Sequence, residues 1–193
     1  EIITNSYRTS FFESKNKSIG IATARAGNVI GGGDYSDFRL IPDLFKSIEN
    51  KTILKIRNIN SIRPWQHVME ALKGYLRLAE SMYFNNEKFS QAWNFGPKNN
   101  DCKNVGWVLD EFKKKWNFEI CKDSQNKVHE TEMLKLDISK SSEELNWKPI
   151  LCINEAIDLT SEWFRKKGRG EYSENIISEQ INCYEKKYIE SVK

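Results

Sequence analysis

The segment RAGNVIGGGDYSDFRLIPDL, which runs from Arg25 to Leu44, carries the main fold signal of this chain. The preceding SIGIATAR predicts a short buried strand that ends at Arg25, because Ile and Ala dominate it. After three consecutive glycines, FRLIPDLFKSIENK predicts an amphipathic helix. A strand, a Gly-rich loop and a helix in this order predict an α/β fold, with a ligand crevice at the carboxyl end of the strand. The predicted buried face of the helix consists of Leu40, Ile41, Leu44, Phe45 and Ile48.

The rest of the chain continues this alternation and then becomes more helical. TILKIRNINSIRPWQHV predicts two short strands around an Asn-rich turn, and QAWNFG predicts a strand that Gly96 and Pro97 stop. Helices are predicted over about 105–116, 139–146 and 154–167, with the strand FEIC after the first and a polar helix after Tyr172. MEALKGYLRLAESMYF predicts an amphipathic helix whose apolar residues are Leu72, Tyr75, Leu76, Ala79, Met82 and Tyr83.

Composition and charge exclude several function classes. Hydrophobic residues make up 39% and charged residues 30% of the 193 positions, as in globular proteins. The net charge of +3 is spread along the chain, so we expect no nucleic-acid partner. No apolar run approaches the roughly 20 residues that span a bilayer, so we expect no membrane partner. The four cysteines form no CxxC pair and only two histidines are present, which predicts no metal site and a cytoplasmic protein.

Polar residues that follow the predicted strands indicate a binding site. Glycines 31–33 lack a Cβ atom, so the backbone there can approach a ligand closely. A helix that begins near Arg39 favours an anion at its N-terminus, and guanidinium groups bind phosphate oxygens in pairs. We therefore predict a nucleotide diphosphate site; the alternative is that the glycines form an ordinary loop and the arginines are surface residues. The candidate ligand groups are Asn28, Arg39, Arg57, Arg63 and Asn94.

Five motifs, in order along the chain, carry a resemblance to a known family. They are RAGNVIGGGD, RLIPDL, IRPWQHV, WNFGP and HETEMLKLDISKSSEELNWKP, and the resemblance covers about residues 1–164. Together they resemble the C-terminal part of the extended short-chain dehydrogenase/reductase family. NVIGGGD and IRPWQHV are most similar to its nucleotide-sugar 4,6-dehydratases that act on CDP-glucose. Because EIITNSYRTSFF also resembles the middle of a helix in these enzymes, we expect the chain to be a piece of a longer protein.

The resemblance implies the C-terminal part of a Rossmann-type parallel sheet plus a smaller mixed α/β substrate-binding lobe. The implied NAD-binding domain contributes its C-terminal part, without its N-terminal half. Relatives pair through a helix bundle that includes the first helix here, which implies a homodimer for the intact enzyme. The implied segments are 1–35 and 69–97 in the Rossmann domain, 36–68 and 98–170 in the substrate lobe, and 171–193 as a helical tail.

The resemblance also implies ligand contacts at the carboxyl end of the sheet. Asn28 would hydrogen-bond the hexose–diphosphate portion of CDP-glucose or a related nucleotide sugar. Val29 would lie beside the nicotinamide of NAD through its backbone. Arg39 and Leu40 would line the nucleotide pocket.

The remaining implied contacts lie later in the chain. Arg63 resembles the principal diphosphate ligand, with Asn94 near it, while His129 and Glu130 would lie in the segment that closes over the nucleotide. Trp65, Trp107 and His67 are interpreted as core or capping residues without a chemical role. The residues implied at the base are Leu54, Lys55, Ile56 and Arg57.

The implied reaction converts CDP-glucose to CDP-4-keto-6-deoxyglucose with NAD regenerated, in deoxysugar synthesis for surface polysaccharide such as O-antigen. It needs a G-x-x-G-x-x-G loop, a Tyr-x-x-x-Lys pair and an acidic elimination residue, and none can be placed in this sequence. We therefore assign no catalytic residue here and expect this segment alone to be inactive. The alternatives are a 4-epimerase or decarboxylase of the same family and a non-catalytic nucleotide-sugar-binding module.

Overall fold

The computed structural model describes residues 1–12, 19–123 and 131–192, which form short parallel sheets packed against helices. None of the helices in these ranges is both long and apolar enough to cross a bilayer. The same ranges contain no group of three His, Cys, Asp or Glu side chains that could hold a metal ion. The helices are α1 (Ile2–Phe11), α2 (Leu40–Asn50), α3 (Val68–Phe84), α4 (Asn86–Phe89), α5 (Val105–Lys113), α6 (Ser139–Glu144), α7 (Ile153–Gly168) and α8 (Ser173–Val192).

The strands of the described residues form three small sheets. β1 pairs with β5 in parallel, and β3 pairs with β7 in parallel. β2 pairs in parallel with β4, which pairs on its other side with β6 in antiparallel. The two strands predicted around the Asn-rich turn are therefore present as β3 and β4, but they pair with different partners. The strands are β1 (Thr23–Ala26), β2 (Asn28–Ile30), β3 (Leu54–Ile56), β4 (Ile62–His67), β5 (Ala92–Phe95), β6 (Cys102–Asn104) and β7 (Ile120–Lys122).

The larger hydrophobic core joins α2, α5 and α7, and Phe45 of α2 is part of it. The predicted face of α2 is confirmed, since Ile41, Leu44 and Phe45 are at most 3% exposed. The Phe45 ring stacks on Phe164 of α7 at a centroid distance of 3.6 Å and contacts Phe112 edge-on at 5.8 Å. This aromatic cluster fixes α2, and with it the N-terminal end of α2, relative to α7.

Two apolar stretches are more exposed than their sequence suggests, within the described residues. β1 is not the predicted buried strand, because Ala24 and Arg25 are exposed and β5 is its pairing partner within those residues. Most of the apolar residues named for α3 also point outward, with Leu76 72% and Tyr83 86% exposed, whereas Met82 packs against a core cluster. α3 instead packs through Gly74, where an added Cβ would lie 2.3 Å from the Phe95 ring. The buried residues of α3 are Glu70, Ala71, Gly74, Leu78 and Ser81.

The junction of β4 and α3 contains two buried polar side chains. His67 is 1% exposed and caps α3, with its Nδ1 accepting a hydrogen bond from the Met69 N–H at 3.4 Å. This confirms the interpretation of His67 as a capping residue. Glu70 accepts hydrogen bonds from the Ile150 and Leu151 N–H groups at 2.9 and 2.7 Å. Burial lowers the pKa of His67 to about 4 and raises the pKa of Glu70.

We predict that His67 makes the protein less stable in mild acid. Its pKa is about 4 in the folded chain, below the unfolded value near 6.5, so its contribution is complete above pH 6.5. That contribution is lost as the pH falls through this interval, by about 2 kcal/mol of unfolding free energy between pH 7 and pH 5. His67→Asn keeps an N-cap acceptor but does not titrate, so urea unfolding should lose less stability over the same interval. Equal losses of unfolding free energy in the wild type and in His67→Asn would contradict the role of His67 in this pH dependence.

Candidate functional site

A cavity of the described residues lies beside the carboxyl ends of β2 and β3 and the N-terminal end of α2. Its volume is about 770 Å³, which is large enough for a nucleotide-sized ligand. It brings together residues that are far apart in the sequence and that were predicted to bind one ligand. Of those predicted site residues, the ones that line it are Asn28, Val29, Arg39, Leu40, Lys55, Ile56, Arg57 and Arg63.

The other predicted site residues do not line this cavity in the described structure. Leu54 is 4% exposed and belongs to the hydrophobic core beneath it. Asn94 lies in β5, and its Nδ2 donates to the Asp137 carbonyl at 2.9 Å. Four of the five candidate ligand groups named from the sequence therefore line one cavity, and Asn94 does not line it. His129 and Glu130 lie outside the described residues, so their implied roles stay predictions.

Carboxylates accompany the cationic groups of the cavity. Arg39 Nη1 lies 3.2 Å from Asp34 Oδ2, and the Arg39 side chain is 66% exposed. Burial raises the pKa of Asp34, but hydrogen bonds from Ser36 and Arg39 outweigh it and hold the pKa below its usual value. For Asp43, burial dominates and raises the pKa, with Lys46 and Arg57 opposing it. Arg39 and Arg57 therefore have carboxylate neighbours with which an anionic ligand must compete.

Arg63 is oriented by the backbone around it. Its Nη1 donates to the Ile62 carbonyl at 2.9 Å and to the Thr131 carbonyl at 2.8 Å. These bonds tie β4 to the chain at 131, directly after the undescribed segment 124–130. A guanidinium has five donors, so Arg63 can make these contacts and still donate to an anion in the cavity.

The cavity is also lined by residues that were not predicted as part of the site, among them Trp65, Ser61 and Phe38. Trp65 is 4% exposed and lines the cavity as well as the core, while its Nε1 donates to the Lys103 carbonyl at 2.9 Å. Ser61 is 1% exposed, and its Oγ has no hydrogen-bond partner within the described part of the chain. Phe38 is 89% exposed. The Asn-rich turn was the only sequence signal for Ser61, and no periodicity marks the other two.

The three consecutive glycines serve packing within the protein. An added Cβ at Gly32 would lie 1.9 Å from the Trp163 Cγ atom, and one at Gly33 would lie 3.2 Å from the same indole. Gly31 faces Val68 at 3.0 Å. Approach of a ligand to these glycines stays a prediction, while the missing Cβ atoms of Gly32 and Gly33 allow a close contact with Trp163 of α7. This contact sets the course of the chain that continues to Asp34 and Arg39.

Comparison with known proteins supports the sequence resemblance. No family model matches the chain. It is 42% identical over 176 residues to CDP-glucose 4,6-dehydratase of Salmonella typhimurium (strain LT2), a match that covers 89% of this chain and 49% of that protein. The chain thus spans about half the length of this curated relative and corresponds to its C-terminal part. The predicted resemblance is confirmed.

Solved structures show the same fold at low sequence identity. UDP-galactose 4-epimerase matches with a TM-score of 0.63 and 19% identity over 86% of this chain and 51% of its own. UDP-glucuronic acid 4-epimerase from Bacillus cereus, in complex with UDP-glucuronic acid and NAD, matches with a TM-score of 0.67 and 16% identity. This match covers 86% of this chain and 49% of the epimerase chain. dTDP-glucose 4,6-dehydratase from Bacillus anthracis, in complex with NAD, matches with a TM-score of 0.63 and 16% identity, over 86% of this chain and 49% of the dehydratase chain. The predicted Rossmann-type α/β class is confirmed.

We predict that Gly32→Ala strongly destabilises the protein. The new methyl group overlaps the Trp163 ring, so the loop or α7 must move, at a cost of about 3 kcal/mol of unfolding free energy. The matched control is Gly168→Ala in the same helix as Trp163, where an added Cβ meets nothing within 4 Å. The control should be unchanged or more stable by up to about 1 kcal/mol. Similar unfolding free energies for both variants in urea would contradict the packing role of Gly32.

Proposed function

We propose that this chain is the C-terminal part of a nucleotide-sugar 4,6-dehydratase that converts CDP-glucose to CDP-4-keto-6-deoxyglucose with bound NAD. The observation that carries the proposal is the meeting of Asn28, Arg39, Arg57 and Arg63 at one cavity in a chain similar to CDP-glucose 4,6-dehydratase. Three guanidinium groups and one side-chain amide around a cavity of about 770 Å³ suit a ligand in which a pyrophosphate links two polar ring systems. We place the reaction in cytoplasmic deoxysugar synthesis for surface polysaccharide.

In this proposal, different cavity residues bind different parts of the ligand. Arg39 and Arg63 bind the diphosphate oxygens, and Asn28 hydrogen-bonds the hexose side of the diphosphate. Ser61 offers a buried hydroxyl whose Oγ has no partner within the described residues, and it can donate to or accept from a polar ligand group. At the base, we assign Lys55, Ile56 and Arg57 as lining residues. Leu54 supports them from the core.

We assign one described residue, Val29, to the NAD site. Val29 lies on β2, is 39% exposed and lines the cavity, so it can contact the nicotinamide end of the cofactor. When bound, the nicotinamide supplies the hydride acceptor and donor of the redox chemistry. The residues of this chain bind and orient the sugar nucleotide beside it. We assign none of them a proton transfer.

Organisation beyond this cavity is also part of the proposal. The segments 1–35 and 69–97 belong to the Rossmann domain, 36–68 and 98–170 to the substrate lobe, and 171–193 to a helical tail. A homodimer of the intact enzyme is supported by α1, whose apolar side chains are exposed. These exposed residues are Ile2, Ile3, Tyr7 and Phe11.

Thermal melting with nucleotides tests the proposed ligand. A ligand that binds only the folded protein raises its Tm, and a tighter ligand raises it more. CDP and CDP-glucose should therefore raise the Tm more than UDP-glucose at equal concentration. Stabilisation by UDP-glucose above that by CDP-glucose would instead favour an epimerase or decarboxylase of the same family. No shift with any nucleotide would contradict the proposal and favour a binding module with another partner.

Arg39→Ala should weaken CDP binding about tenfold, because it removes a charge-assisted contact to the diphosphate. The Arg39 side chain is 66% exposed, so the fold should not change. Arg169→Ala removes an exposed arginine that does not line this cavity and serves as the control. Calorimetric titration measures both affinities. An Arg39→Ala affinity equal to that of the control would remove Arg39 from the proposed diphosphate site.

The 193-residue chain alone should not convert CDP-glucose when NAD is added. Its sequence has no G-x-x-G-x-x-G loop and no Tyr-x-x-x-Lys pair, which this chemistry requires. The assay follows formation of the 4-keto sugar, with the Salmonella typhimurium relative as the positive control. Turnover by the chain alone would contradict the assignment of the catalytic groups to another segment.

A further inference from the structure

Phe38 combines two features that are unfavourable for an isolated protein. Its side chain is 89% exposed, although it lines the cavity beside Arg39. Its φ angle is +62°, in the left-handed region that a bulky residue rarely adopts. Neither burial nor local backbone preference explains a phenylalanine at this position. Such outliers concentrate at ligand-binding sites, where the surrounding structure holds them in place.

Contacts with α2 and α7 hold Phe38 and the residues before it. The Phe38 N–H donates to the Asp43 carboxylate in the first turn of α2. The preceding residue, Asp37, forms a salt bridge with Lys46 on the same helix. Earlier in the loop, Tyr35 contacts the Phe164 ring of α7 edge-on at 6.1 Å. The backbone is therefore fixed while the Phe38 ring itself makes little contact with the protein.

We propose that Phe38 is a ligand-contact residue whose ring packs onto a ring of the bound nucleotide sugar. This inference rests on the proposed function and deepens it by naming a contact at the same cavity. Arg39, the next residue, supplies the cationic group for the diphosphate, so the aromatic ring lies one residue from the charged part of the ligand. A pyrimidine base offers a π-face and a pyranose offers a face of C–H groups, and both faces pack well on an aromatic ring.

Two substitutions separate ligand contact from a structural role. Phe38→Asn removes the ring and introduces a residue that tolerates left-handed φ. It should leave the ligand-free protein as stable or more stable in urea, yet weaken CDP-glucose binding about tenfold, the loss expected for one stacking contact. Phe38→Tyr keeps the ring and should keep the affinity within about twofold. A buried structural aromatic would show the opposite result, namely lost stability with unchanged affinity.

Lys51→Gly is the matched control on the same helix. Lys51 ends α2 with φ of +53° and does not line the cavity, so glycine should raise stability without any change in affinity. Titration with CDP and with CDP-glucose identifies the contacted ring. If Phe38→Asn weakens both ligands, Phe38 contacts the nucleoside part; if it weakens CDP-glucose alone, Phe38 contacts the hexose.

The outcomes distinguish this inference from the proposed function. Wild-type protein that binds CDP-glucose, together with a Phe38→Asn variant that binds it equally well, overturns the role of Phe38 only. Loss of stability in the ligand-free Phe38→Asn variant with unchanged affinity also overturns it. Wild-type protein that binds neither CDP nor CDP-glucose overturns the proposed function and this inference together.

Discussion

The packing of the Trp163 indole against the backbone of Gly32 and Gly33 is the contact on which the site geometry depends. No side chain larger than hydrogen fits between loop and helix at Gly32. The neighbouring Phe164 stacks on Phe45, so one turn of α7 positions both the loop after β2 and helix α2. Asn28 precedes this loop and Arg39 follows it. Helix α7 therefore positions the walls of the cavity, although none of its side chains lines the cavity.

Charge in the cavity is balanced rather than simply positive. Asp34 is close to Arg39, and Asp43 lies within electrostatic range of Arg57. Such pairing orients the arginine side chains, and an anionic ligand would replace one anionic partner with another. Under the proposed function, selectivity would come from the shape of the cavity and from uncharged groups such as Asn28 and Ser61, because any anion can pair with an arginine.

Helices α2 and α3 show why the sequence predicted some packing correctly and some not. In α2 the apolar stripe is also the buried stripe, because both neighbouring helices contribute aromatic rings to it. In α3, Gly74 makes the closest contact, with the Phe95 ring, and a hydrophobicity pattern gives glycine little weight. Most of the apolar side chains of α3 are exposed in the described structure. A close helix–strand contact needs small residues, so the packed face there is the one with glycine and alanine.

The sequence by itself determined the alternation of strands and helices, the polar residues at strand ends and the resemblance to a family of nucleotide-sugar enzymes, because these are local patterns or ordered motifs. The tertiary structure decided that β3 and β4 pair with different strands and that Asn94 does not line the cavity of the arginines. It also decided that Gly32 and Gly33 pack against the Trp163 indole. Each of these depends on which distant segments meet, and only packing in three dimensions determines that.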